Sequence, residues 1–298
     1  MLKEWKPAEK PDEEELKERL KAAEKKLEVY QLQMKEHRLP VLVLVEGWGA
    51  AGKGSLIGKV IRSIDPRFFR VAAMADPGEE ERRRPFLYRY MVRIPQEGKF
   101  EFLDSGWLDE TVRDRFYGRL NEREYGRRVE SIRRFERQLV DNGYLVLKLF
   151  LHISRKEQKK RLDRLIEDKD ARWRVSPWDR DQNEHYEACE ELFDRCLTDT
   201  ASAGAPWYLV DAKERKWAQL QIMEALCGGL EVAFQNCRTA APLIQNIFPL
   251  VKMPRLSEVD LSCSISEETY KEELKRLQNC LGELHNRVYR KRVPVVIV

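Results

Sequence analysis

Gly47, Gly52 and Lys53 follow the spacing G-x-x-x-x-G-K inside the stretch VLVLVEGWGAAGKGSL, residues 41–56. Those residue types at that spacing suit phosphate. Glycines let the backbone wrap closely enough for N–H groups to point at phosphate oxygens, a following helix adds the positive end of its dipole, and Lys53 brings a mobile cation. The candidate phosphate-binding set is therefore Gly47, Gly49, Ala50, Ala51, Gly52, Lys53, Gly54 and Ser55. Gly54 stands where this Walker A pattern usually has Ser or Thr, and Ser55 comes one position late. The hydroxyl that ordinarily ligates Mg2+ is missing, so a metal would need carboxylates. Asp104, ending the apolar run FEFLD, is placed like the acid of a second phosphate-site strand. An Asp after a strand also serves as a turn residue or helix cap, and a glycine-containing turn with a solvated lysine is the plain alternative for the loop.

A cradle of this kind needs a strand to deliver it and a helix to leave it. Val41–Glu46, VLVLVE, is a continuous apolar run of the type found in buried parallel strands, and helical spacing resumes over Lys53–Ile64. Before the strand, Leu16, Leu20, Ala23, Leu27, Tyr30 and Met34 recur at helical spacing within Glu13–Glu36, and Pro40 ends that amphipathic helix. Further on, Phe69–Met74, Phe100–Asp104, Tyr144–Ile153 and Pro206–Ala212 read as strands. Helices are expected over Asp109–Tyr125, Arg127–Asn142, Arg155–Asp168, Arg180–Leu197 and Glu214–Phe234. Such alternation predicts an α/β fold with a mostly parallel sheet covered on both faces.

Composition narrows the classes. A chain of 298 residues is long enough for one large α/β domain or two smaller ones, and 36% charged residues imply long solvated helix faces. The net charge of +4 does not by itself call for a nucleic-acid partner, so an anion site must come from local clustering. The six cysteines form no CxxC pair and read as reduced thiols of a cytoplasmic protein. The opening MLKEWKPAEKPDEEE is not a signal peptide, and no apolar run approaches membrane-spanning length.

Past Gln235 the period is lost and prolines appear, which reads as a linker over 235–266. Glu267–Val298 then aligns without gaps to Glu13–Leu44 at an offset of 254, with Leu20/Leu274, Leu27/Leu281, Arg38/Arg292, Pro40/Pro294 and Val41/Val295 among the identical pairs. Charged helices resemble one another by composition, but the shared Arg-x-Pro-Val junction argues for a repeat. The expected organisation is an acidic leader (1–12), a domain with its leading helix (13–234), a linker (235–266), and the helix and first strand of a second unit (267–298). The closing run VPVVIV suits a chain cut inside that second unit.

Together these residues resemble the polyphosphate kinase 2 family, which transfers phosphoryl groups between inorganic polyphosphate and nucleotides. The family's loop reads G-x-D-x-x-G-K-G, which accounts for Gly54. The resemblance covers most of Leu39–Phe234, through RYMVRIP (89–95), Asp104 and Trp107, SRKEQKKR (154–161), RWRVSPWD (172–179) and APWYLVDA (205–212). It implies a three-layer P-loop-kinase-like fold with a helical lid over Asp109–Arg128. It further implies catalytic roles for Lys53 and Asp104, phosphate contacts from Arg89 and Arg115, and Mg2+ at Asp104. Tandem members resemble polyphosphate:AMP phosphotransferases, which implies inorganic polyphosphate and AMP or ADP as ligands, a second domain in the same polypeptide, and a homo-oligomer.

The departures fall where chemistry would occur. The loop aspartate is Gly49, and the family's D-R-S-W-Y-N-R reads DSGWLDE, so Ser105 and Glu110 replace arginines and Leu108 replaces tyrosine. Two cations are lost and one anion gained beside a polyanion site. Two versions compete: a working phosphotransferase unit, and the favoured one, a degenerate unit that binds polyphosphate or acts as a scaffold. Alternatives from other classes are an ATP-dependent small-molecule or nucleotide kinase, and a non-catalytic dimerisation module built on the two repeated helices.

Overall fold

The computed structural model describes residues 1–74, 76–236 and 255–296, which divide into two units at Ile244/Gln245. In the first unit the leader is not a free tail. Leu2 is buried in the core, Trp5 meets the His152 ring edge-on at 5.7 Å, and Lys10 pairs with Glu214 at 2.6 Å.

Helix α1 (Glu13–Glu36) starts where the Asp12 carboxylate accepts the N–H groups of Glu14 and Glu15, and it buries Leu16, Ala23, Leu27 and Met34. The order continues with β1 (Val41–Gly47), α2 (Lys53–Val60), β2 (Phe69–Ala73), α3 (Glu79–Arg82), α4 (Tyr88–Met91), β3 (Phe100–Asp104), α5 (Trp107–Phe116) and α6 (Glu122–Asp141). Then come β4 (Leu145–His152), α7 (Arg155–Glu167), α8 (Pro177–Glu184), α9 (Tyr186–Thr200), β5 (Trp207–Asp211) and α10 (Arg215–Asn236). All strand pairs are parallel, in the order β2-β3-β1-β4-β5.

β1 shows why both faces are covered. Val41, Val43 and Val45 enter a core with α1, α2 and α10, while Leu42 and Leu44 enter a second core with Leu87 and Tyr90 near α4 and Ile132, Phe135 and Leu139 of α6. Successive side chains of a strand point to opposite faces, so an unbroken apolar run fits only a strand buried on both. This is the three-layer α/β, P-loop-kinase-like architecture that the sequence predicts.

Two predicted helices divide differently. The break in the Asp109–Asn142 region comes at Tyr117–Asn121, not at Gly126, which lies within α6. Gly118 takes φ 68° there, and the Asn121 side chain caps α6 with Glu124 reaching back. The stretch 180–197 is split at His185 into α8, which starts earlier behind a Ser176 cap and Pro177, and α9.

The second unit, taken by itself, contains α11 (Glu267–Lys291). Most of the expected linker, 237–254, lies outside the described residues, as do Ile297 and Val298. Residues 293–296 carry no strand ladder among the described residues.

Candidate active site

The parallel register sets the carboxyl end of β1 beside that of β3, with Val45 opposite Asp104, and beside that of β4, with Gly47 opposite Leu151. The strand order reverses at β1, and ligand crevices of open α/β sheets form at such a reversal. The loop after Gly47 and the Asp104 carboxylate therefore share one edge of the sheet.

The loop is held from outside by side chains. Trp48 is buried, stacks on Tyr186 with centroids 4.0 Å apart, and donates from Nε1 to His152 Nδ1 at 3.2 Å. Gly49 N donates to Gln182 Oε1 at 2.7 Å, and Gln158 Nε2 donates to Gly49 O at 3.3 Å. Arg161 of α7 donates to Ala50 O, Ala51 O, Ala212 O and Lys213 O at 2.8–3.3 Å. Gly52 takes φ 95°, a left-handed value that favours glycine, and caps α2 without a side chain, so the first N–H groups of α2 have no intrahelical acceptor. Lys53 Nζ donates to Gly47 O at 3.0 Å and Trp48 O at 3.2 Å, which keeps the ammonium at the mouth of the loop.

The two glycines that depart from common patterns have steric partners. A Cβ on Gly54 would lie 2.8 Å from Asp104 Oδ2, so the strand carboxylate fills the space a Ser or Thr side chain would need. A Cβ on Gly49 would lie 2.2 Å from Asp179 Oδ1, so a carboxylate from α8 already occupies the volume beside that loop position.

Around Asp104 the acids are crowded. Glu46, wholly buried at the end of β1, accepts from Leu108 N at 3.0 Å and Asp109 N at 3.4 Å, which places it on the N-terminus of α5. Burial, with the nearby Asp109 carboxylate, pushes its pKa up to about 8. Burial also raises Asp104 and Asp109, with Lys53 pulling both the other way. Asp109 Oδ1 accepts from Trp178 Nε1 at 2.9 Å.

Two cavities are lined by residues of the loop and of the elements around it. One, about 930 Å3, is lined by Gly52, Lys53, Gly54, Ser55 and Asp104 of the predicted site, together with Arg161, Arg164, Trp173, Arg174, Asp179, Lys213 and Arg215. Arg161 is tied to Glu157 at 2.7 Å, whereas Lys53, Arg164, Arg174, Lys213 and Arg215 have no carboxylate within ion-pair distance among the described residues. The second, about 440 Å3, is lined by Arg82, Arg84, Arg89, Arg113, Arg119 and Arg128 with Asp76, Glu81, Glu110 and Asp114. Here four of the six arginines are paired with carboxylates, and Arg82 and Arg84 have none within ion-pair distance among the described residues. Arg89 lies 3.3 Å from Glu110 and 3.7 Å from Glu81, Arg113 is 2.5 Å from Asp76, and Arg119 and Arg128 both meet Asp114. Glu110 also accepts from Tyr90 Oη at 2.6 Å.

The structure thus brings the loop, Lys53 and Asp104 together and sends the predicted arginines elsewhere. Arg89 lines only the second cavity, and Arg115 lines neither, because it donates to Leu120 O at 2.7 Å and Glu122 at 3.0 Å and fastens the turn after α5. Sequence reasoning missed Glu46, Asp109, Asp179 and Arg161 as individual groups. Gln158 and Arg161, three apart on α7, carried a usable signal, since both are neighbours on one helix face. Asp179 had none, because nothing local reports that α8 reaches the loop.

Comparison with known proteins agrees with this fold. The chain is similar to a polyphosphate:AMP phosphotransferase of Pseudomonas aeruginosa, 31% identical over 261 residues that cover 85% of this chain and 52% of that protein. It is similar to an AMP/ADP-polyphosphate phosphotransferase of Meiothermus ruber, 29% identical over 68% of this chain and 78% of that protein. Among solved structures, a putative polyphosphate kinase 2 from Pseudomonas aeruginosa superposes with a TM-score of 0.75 at 26% identity, covering 95% of this chain and 55% of that one. The chain spans about half the length of two curated relatives, 52% of one and 48% of another. The family model described as polyphosphate kinase 2 matches residues 10–237, and with its loop, sheet order and strand-end acid in place the chain belongs to the polyphosphate kinase 2 family.

Proposed function

We propose that this chain is a polyphosphate-binding unit of a polyphosphate:AMP phosphotransferase, one that has lost efficient phosphoryl transfer to AMP. The observation that carries this reading is the unequal pairing of the cations that line the two cavities. Beside the loop, five of the six cations have no carboxylate within ion-pair distance among the described residues, as suits a polyanion site. In the second cavity, Glu110 and its neighbours pair with four of the six arginines, which an acceptor phosphate would otherwise use. Each charged contact in a phosphoryl-transfer site is worth several kcal/mol in the transition state, so such pairing costs many decades in rate.

Lys53 and the N–H groups at the start of α2 hold phosphates, with Arg164, Lys213 and Arg215 following the chain outward. Mg2+ would be held by Asp104 together with phosphate oxygens, the usual arrangement for an ion that arrives on its substrate, and would neutralise charge on the phosphates. Among the described residues no three His, Cys or acidic groups converge on a resident ion.

A second unit begins, in this reading, at Glu267. Tyr270, Leu274, Leu277, Leu281 and Leu284 are exposed on α11, at the positions where α1 covers the first unit's core with Leu16, Leu20, Ala23, Leu27 and Tyr30. That second unit and a second copy are the proposed partners, and the buried free thiols Cys189, Cys196 and Cys227 favour a cytoplasmic setting.

Phosphoryl transfer from polyphosphate to AMP with Mg2+ tests the reading when the chain is compared with Lys53→Ala. Polyphosphate binding that falls at least tenfold in the variant, with no ADP from either protein, is expected. ADP formation that depends on Lys53 would overturn it.

A further inference from the structure

A third cavity, about 390 Å3, lies between α6 and the segment that leads into α4, and it shares no lining residue with the loop cavity. Its floor is apolar, made by Phe86, Leu87 and Met91 on one side and Phe135 of α6 on the other. Met91 is 43% exposed, and the chain leaving it carries Val92 and Ile94, themselves 60% and 36% exposed. Apolar surface left open in this way marks a place where something binds. The rim, by contrast, is basic. Arg127, Arg128 and Arg134 line it, and no carboxylate does among the described residues. Arg128 meets Asp114 at 2.7 Å with its guanidinium 4.1 Å from the Phe86 ring, and Arg134 meets Glu130 at 2.7 Å. Arg127 has no carboxylate within ion-pair distance among the described residues.

The groove also has a length. Its lining residues on α6 run from Arg127 to Gln138, which at 1.5 Å per residue is about 16 Å, or three turns. Arg127 and Arg134 stand seven residues apart on that wall, about 10 Å, with the small Ser131 between them, its Oγ turned back onto Arg127 O at 2.9 Å. An apolar channel of this length between two walls suits an amphipathic helix, and the arginines select the charge of its flanks.

We propose that this groove docks an acidic amphipathic helix of a partner protein. Large apolar side chains at i, i+3 or i+4, and i+7 of that helix lie on the floor of Phe86, Met91 and Phe135, and its Asp or Glu residues face Arg127 and Arg134. Inorganic polyphosphate gains nothing from such a floor, and a bilayer surface is too flat to enter a channel walled on both sides.

Fluorescence anisotropy tests this with a labelled synthetic peptide of about four helical turns, leucine and phenylalanine at i, i+3, i+4 and i+7 and glutamate on the flanks. One control peptide has lysine in place of glutamate, and another has the same residues in scrambled order. The full chain is expected to bind the glutamate peptide at least tenfold more tightly than either control. Ser131→Trp, which fills the groove from an exposed position of α6, should weaken that binding at least tenfold. Arg127→Glu combined with Arg134→Glu should turn the preference toward the lysine peptide, a gain that misfolding cannot mimic. No binding of the glutamate peptide, equal affinity for the glutamate and lysine peptides, or binding indifferent to Ser131→Trp overturns the proposal. It is equally overturned if the peptide fails while phosphatidylglycerol vesicles bind, or the chain self-associates in sedimentation, in a manner that Ser131→Trp abolishes, since the groove then belongs to lipid or to a second copy.

Discussion

At the scale of single residues, the loop's unusual glycines follow from what stands opposite them. Gly49 faces the Asp179 side chain closely enough that its Cγ and Cβ would crowd an added Cβ, whereas Gly54 faces only a terminal oxygen of Asp104. Restoring the family's acid with Gly49→Asp should therefore harm the protein. The new Cβ and charge would meet Asp179, and a loss of about 2 kcal/mol is expected, read as a lowered melting temperature and only partly recovered when Asp179→Gly is added, since that change also removes the α8 capping box with Ser176. A stable Gly49→Asp single variant would show that the two positions do not compete. Glu46 sets a different signature. Its pKa rises from 4.5 unfolded to about 8 folded, so the folded chain holds an extra proton between those values. The stabilisation is complete below pH 4.5 and lost as pH rises through 8, at up to about 1.4 kcal/mol per pH unit. Denaturant titrations across that window should show the decline in the parent and a flatter profile in Glu46→Gln, which keeps an acceptor for Leu108 N; equal slopes would refute the assignment.

Among elements, α7 is the piece that makes the loop rigid. The Arg161 side chain ties both loop carbonyls and the chain after β5 to one helix, so the loop and the cavity wall at Lys213 share one anchor. Hydrogen bonds to a charged donor contribute about 1.5–3 kcal/mol each when partly buried, and these four share one group. Arg161→Ala should cost about 2–3 kcal/mol of stability and weaken polyphosphate binding, with hydrogen exchange accelerated at Ala50–Lys53 and at Lys213. Unchanged exchange at either segment would mean that α7 does not brace it. Helix α5 is held similarly from below, since the Glu46 carboxylate takes the place of an N-cap side chain that Gly106 lacks.

For the whole molecule, charge distribution matters more than charge. A surplus of +4 says little, but among the described residues the fold leaves five of six cations unpaired in the cavity beside the loop and pairs four of six in the second. Much of the scaffold was legible in the sequence because its signals are local. The apolar run VLVLVE, the G-x-x-x-x-G-K spacing and the heptad-like stripe of Glu13–Glu36 each report a backbone state or buried face through neighbours a few residues apart. The breaks at Tyr117–Asn121 and His185 were harder, because Asn121 and Ser176 act as caps only once their helices begin there.

By itself, then, the sequence determined the alternation of strands and helices and the loop that carries Lys53 between β1 and α2, since hydrophobic periodicity and glycine spacing are local; that β3 pairs with β1 and brings Asp104 beside the loop was decided by the tertiary structure. Only the tertiary structure decided what the charges do. Arg89 and Arg115 are spent on Glu110 and Glu122, Lys148 is buried beneath the sheet against Glu136 at 2.7 Å, and Asp179 is brought from another helix to Gly49. A side chain's charge is written in the sequence, but whether that charge is free for a ligand depends on partners that only folding brings within a few ångströms.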